Sequence, residues 1–122
     1  MTTYAIGDIH GCLFSLQLLL ESIPLRPIDQ LVFLGDYIDR GTDSKGVIDE
    51  ILLLRTTHQV VSLRGNHEAM MLEARENPLE DNFWKSCGGH ETLRSYQGES
   101  REDWANTIPE SHWRFLETTL LY

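Results

Sequence analysis

The sequence predicts an α/β fold in which a βαβαβ unit builds a parallel sheet and a helical segment follows. Three observations predict it: short apolar runs that each end just before a glycine or one residue earlier, two helical patterns between them, and a change of character after Gly65. "TTYAI" (2–6), "QLVFL" (30–34) and "QVVSL" (59–63) are β-branched and apolar runs that read as strands. Between the first two, "FSLQLLLESI" sets Phe14, Leu18 and Leu19 at helical spacing with Leu13, Leu20 and Ile23 alongside, and Pro24 and Pro27 end the helix. "SKGVIDEILLLR" repeats the pattern with Val47, Ile48, Ile51, Leu52 and Leu54. Strands alternating with helices imply parallel pairing, and such sheets bind ligands beyond the carboxyl ends of their strands.

After Gly65 the strand signals fade and acid-rich, helix-compatible stretches take over. Met70, Met71, Leu72 and Leu79 are expected to cover core, Gly88 and Gly89 to interrupt, and Pro109 to open a final amphipathic helix carrying Trp113, Phe115, Leu116 and Leu120. Residues 69–122 are therefore expected to form a helical cap over the strand ends of a core spanning 1–68, the whole making one domain over 1–122.

Composition narrows the function classes. The 122 residues suit one compact domain. No apolar stretch nears the roughly 18 residues that cross a bilayer, so no membrane partner is expected. "MTTYAIGDIHG" carries no basic region followed by a long apolar one, which makes the cytoplasm the expected compartment. Cys12 and Cys87 lie far apart and read as reduced thiols, Cys12 as a small buried residue at a helix start. A net charge of −9 argues against binding a phosphate backbone, so nucleic acid is not an expected partner. For the same reason Trp84, Trp104 and Trp113 read as packing rather than as a base-stacking platform.

Each strand end carries its own polar cluster: Gly7-Asp8-Ile9-His10-Gly11, Gly35-Asp36-Tyr37-Ile38-Asp39-Arg40-Gly41, and Arg64-Gly65-Asn66-His67-Glu68. One such cluster could be an ordinary turn. Three of them on strands about 4.8 Å apart converge on one small volume. Asp8 and His10, two apart on extended chain, project to the same side, with Asp36 and Asn66 coming from the neighbouring tips. Carboxylate, imidazole and amide oxygen together suit manganese, iron or zinc. Asp36 on the middle strand could bridge two such ions and so position a shared hydroxide nucleophile. Arg40 and Arg64 offer forks for phosphate oxygens, His67 could protonate a leaving oxygen, and Asp39 could orient it.

These motifs, "GDIHG", "GDYIDRG" and "GNHE", resemble the signatures of the metal-dependent serine/threonine protein phosphatases of the PPP family, within the calcineurin-like metallophosphoesterases. The region "WKSCGGHETLRSY" (84–96) is similar to a looser pattern in bacterial and phage members, including hydrolases of dinucleoside polyphosphates. The resemblance covers the N-terminal portion of that family's sandwich fold. It implies two divalent metals, manganese first, with Asp8 and His10 on one, Asn66 on the other and Asp36 between them. It also implies His67 and Asp39 as catalytic residues, Arg40 and Arg64 as phosphate contacts, and a phosphoprotein or small phosphoester as substrate. Complete members add further strands and histidine ligands, and the sequence is expected to stop short of them. His58, His90 and His112 are no convincing substitutes: His58 and His112 read as surface or packing residues, and His90 as the one with some claim to a site or substrate contact. The expected function is phosphomonoester hydrolysis, with dinucleoside polyphosphate hydrolysis as the alternative. A third reading is an inactive fragment or interaction module holding at most one metal, or partly loaded, and self-associating through an incomplete sheet.

Overall fold

A computed structural model describes residues 1–121. Three four-residue strands, β1 (Thr3–Ile6), β2 (Gln30–Phe33) and β3 (Gln59–Ser62), pair in parallel in the order β1-β2-β3. The register aligns Ile6, Phe33 and Ser62. The three strands therefore end level, which brings the residues just beyond them to one edge. On β2, Leu31 and Phe33 are fully buried while Val32 between them is not, the period-2 pattern of a sheet with one covered face.

The crossovers are α1 (Leu13–Ser22) and α2 (Ser44–Leu54), as their spacing predicts. Asp43 caps α2, its Oδ1 accepting from the Gly46 N–H at 2.8 Å, and Val47, Ile48 and Ile51 are fully buried. The helical region follows: α3 (Asn66–Glu76), α4 (Asp81–Trp84), a π-type turn over Lys85–Gly89, α5 (His90–Ser95) and α6 (Glu110–Glu117), with single 3₁₀ turns at Pro78–Glu80 and Trp104–Thr107. Trp84, Trp104 and Trp113 pack in sequence with tilted rings, centroids 5.1 and 6.1 Å apart, and all three are buried in the core. Leu120 forms a parallel bridge to Leu63, laying the chain after α6 alongside the end of β3. Among the described residues, no helix is long and apolar enough to cross a membrane.

Four sequence expectations about packing are corrected. Helix α1 buries only Leu16 fully, leaving Phe14, Leu18 and Leu19 exposed, because nothing among the described residues covers that side of it. Leu79 lies on a 3₁₀ turn at 88% exposure, while Met71 alone of its group is fully buried. Leu120, expected on the final helix, falls after α6 and is exposed. Cys12, the residue before α1, is exposed too, and its side chain makes no capping hydrogen bond to the helix.

Asp29 ties the loop before β2 to the N-terminus. Its carboxylate, 1% exposed, accepts from the Thr2 N–H at 2.8 Å and from the Arg26 N–H and guanidinium. The Thr2 N–H first, and then Arg26, hold the carboxyl down at about 2 from its ordinary 3.8, against the opposing effect of burial. A depressed carboxyl contributes stability that is present above its unfolded value and lost as pH falls through the folded one. The urea midpoint of the parent is therefore expected to drop between about pH 4 and pH 2 more steeply than that of Asp29→Asn. Parallel curves for the two proteins would contradict the assignment.

Candidate metal centre

Four side chains from the three strand ends meet at one edge of the sheet. A ligand atom from each of Asp8, His10 and Asp36 lies within 4.8 Å of the other two. His10 Nε2 is 3.7 Å from Asp8 Oδ2, and His10 Nδ1 sits 2.9 Å from the Ile38 carbonyl. That carbonyl can only accept, so it fixes the proton on Nδ1 and leaves the Nε2 lone pair free toward the carboxylates. Asn66, at the start of α3, sets its amide against both Asp36 oxygens at 3.1 Å. Without a cation the amide nitrogen belongs on that side and donates. A half-turn puts the carbonyl oxygen there instead, and three oxygens with no proton between them are what a divalent cation would collect. The donor set fits a hard or borderline metal.

The backbone is bent to make this arrangement. Among the described residues, five other than glycine have positive φ, and four of them are His10 (45°), Asp36 (57°), Asp39 (76°) and Arg40 (72°). Such conformations cost about 1–3 kcal/mol each and persist only where surrounding contacts impose them. Here the Ile9 and His10 N–H groups donate to the Asp36 carbonyl, and Gly11 N–H donates to that of Tyr37, stitching the first strand end to the second. Gly65 completes the fit, since a Cβ there would collide with the Asp36 carboxylate and backbone.

Glu68 is the residue that sequence reasoning left without a role. Fully buried, its carboxylate accepts from the N–H groups of Asp36 (2.6 Å), Tyr37 (2.9 Å) and Gly65 (2.9 Å). Burial pushes its carboxyl up while those three donors pull it back down. It thus clamps the second strand end to the third. The available signal was an acid in the first turn of a glycine-capped helix, where a carboxylate reaches back to the cap N–H.

Behind the ligand cluster lies a second pair. His67 Nδ1 is 2.7 Å from Asp39 Oδ2, both side chains being buried, and the His67 ring meets that of His10 edge-on at 4.8 Å. The predicted partners are therefore in contact. Arg40 is exposed, carries no ion pair among the described residues, and lines an open groove of about 510 Å³ with Lys85, Ser86, Cys87, Gly88 and His90. His90 is exposed on that groove, whereas His112 is buried between Tyr96 Oη (2.6 Å) and Asp49 Oδ1 (2.7 Å).

Arg64 departs from expectation. Its Nε donates to Thr119 Oγ1 at 2.9 Å, and one terminal nitrogen donates to the carbonyls of Leu116 (3.2 Å) and Glu117 (2.9 Å). The guanidinium satisfies the last carbonyls of α6, a cation at the negative end of a helix, and is drawn there rather than toward the Asp36 side.

Comparisons with known proteins give the family to which this fold and this cluster belong. The family model described as calcineurin-like phosphoesterase matches residues 1–117, so the chain belongs to that family. It is 41% identical over 88 residues to serine/threonine-protein phosphatase 2 of Salmonella typhimurium, covering 71% of this chain and 38% of that protein. It is 32% identical over 105 residues to the symmetrical bis(5'-nucleosyl)-tetraphosphatase of Pseudomonas putida, covering 85% of this chain and 35% of that protein. A solved structure assigned provisionally as a diadenosine tetraphosphatase superposes with a TM-score of 0.59 at 28% identity, over 96% of this chain and 42% of its own. The chain thus spans well under half the length of these relatives.

Proposed function

We propose that this chain carries the metal-holding part of a phosphomonoester hydrolase of the serine/threonine phosphatase type, acting in the cytoplasm with manganese. The observation that carries the reading is the convergence of Asp8, His10 and Asp36 within 4.8 Å beside the buried Asp39–His67 pair. Asp8 and His10 would hold one metal, Asn66 the other, and Asp36 both. When bound, such metals neutralise phosphoryl oxygens and make water acidic enough to serve as a nucleophile near neutral pH.

The chain's own groups supply the rest. Arg40, unpaired among the described residues and facing the groove, would grip phosphate oxygens with its planar fork. His67 would give its Nε2 proton to the leaving oxygen as the P–O bond breaks, keeping its Nδ1 proton on Asp39. Arg64, held by α6, would brace the third strand end instead of touching phosphate. A dinucleoside polyphosphate remains the second reading, because Lys85 and His90 extend the groove beyond Arg40 with further nitrogen donors. The exposed Phe14, Leu18 and Leu19 also support self-association of the chain, which sedimentation at rising concentration would register as a growing dimer fraction.

The test is turnover of para-nitrophenyl phosphate with added Mn²⁺. Turnover that a chelator abolishes and Mn²⁺ restores is expected. Stoichiometric metal binding without any turnover would favour the interaction-module reading instead.

A further inference from the structure

Trp84 and Thr92 come from the helical region, yet both end on Asp39. Trp84 Nε1 donates to Asp39 Oδ2 at 2.9 Å, and Thr92 Oγ1 donates to Asp39 Oδ1 at 2.6 Å. Thr92 Oγ1 also receives the Asp39 N–H at 2.8 Å and lies 3.1 Å from Ser44 Oγ. The carboxylate is fully buried, so each oxygen is fixed by a donor that water cannot replace. Oδ2 is thereby left aimed at His67 Nδ1.

The intervening turn is shaped for this. Gly88 has φ 108°, its carbonyl accepts the Arg40 N–H at 3.2 Å, and a Cβ on it would stand 2.8 Å from that nitrogen. A side chain there would force the turn off residues 39 and 40 and pull Trp84 and Thr92 away together.

We propose that Trp84 and Thr92 are positioning residues for His67, acting through Asp39 so that the helical region sets the orientation and tautomer of the proton-donating ring. Burial pushes the Asp39 carboxyl up, and the donors from Thr92, His67 and Trp84 oppose it; removing Trp84 or Thr92 frees the carboxylate to turn, so that Oδ2 is no longer held toward His67 Nδ1. The inference rests on the hydrolase reading only for its catalytic consequence.

The experiment has two arms. Long-range ¹H–¹⁵N spectra of the imidazoles, recorded on the metal-free chain, report the His67 Nδ1–H directly. Thr92→Val and Trp84→Phe are each expected to speed exchange of that proton at least about tenfold, and Thr92→Ser to restore slow exchange. Unchanged Nδ1–H exchange in folded Thr92→Val and Trp84→Phe would overturn the proposal. The second arm compares para-nitrophenyl phosphate, whose leaving group needs little protonation, with phenyl phosphate, whose leaving group needs more. Both variants are expected to lose about tenfold more kcat on phenyl phosphate than on the nitrophenyl ester. Equal losses on the two esters would overturn the catalytic consequence. Absence of turnover in the parent would overturn the hydrolase reading while the spectra still decide the positioning.

Discussion

Asp36→Asn is expected to fold as the parent does and to lose Mn²⁺ affinity by about 100-fold or more, since disturbing even a group that only hydrogen-bonds a ligand costs about 10–100-fold. The amide keeps one oxygen, which can still accept the His67 N–H that Asp36 Oδ1 now accepts at 3.1 Å, so the start of α3 stays anchored. What disappears is the negative charge at the centre of the cluster, between Asp8 and His10 on one side and Asn66 on the other. Titration calorimetry with Mn²⁺, beside circular dichroism of the same samples, separates the two effects. Equal affinity in both proteins would remove Asp36 from the centre.

Glu68→Gln should instead strike the fold. The fully buried carboxylate accepts three backbone N–H groups, and the amide brings two donors of its own against them. At least one buried N–H loses its acceptor, at about 1–3 kcal/mol, and a charge-assisted bond worth about 1.5–3 kcal/mol goes with it. Against a domain stability of about 5–15 kcal/mol that is a large fraction. A fall in Tm of about 10 °C is expected by thermal circular dichroism. A Tm within about 2 °C of the parent would mean that the clamp holds nothing essential.

The contrast between these residues shows what a sequence can carry. Asp8, Asp36 and Asn66 follow strands whose apolar runs are visible locally, and level strand ends do the rest, so the cluster was legible before any coordinates. The Asp39–His67 contact was legible for the same reason. Trp84 and Thr92 were not, because their bonds to Asp39 span 45 and 53 residues and depend on how a glycine turn folds back. Arg64 was misplaced by similar long-range logic: the carbonyls that hold it belong to the end of α6, whose position no local pattern specifies. The exposed side of α1 was misread because amphipathic spacing identifies an apolar face without saying what covers it.

The most direct test of the central claim is anomalous diffraction from crystals of this chain grown with Mn²⁺. The account predicts an anomalous peak enclosed by the side chains of Asp8, His10, Asp36 and Asn66. A peak elsewhere, or none in that cluster at saturating Mn²⁺, would contradict it.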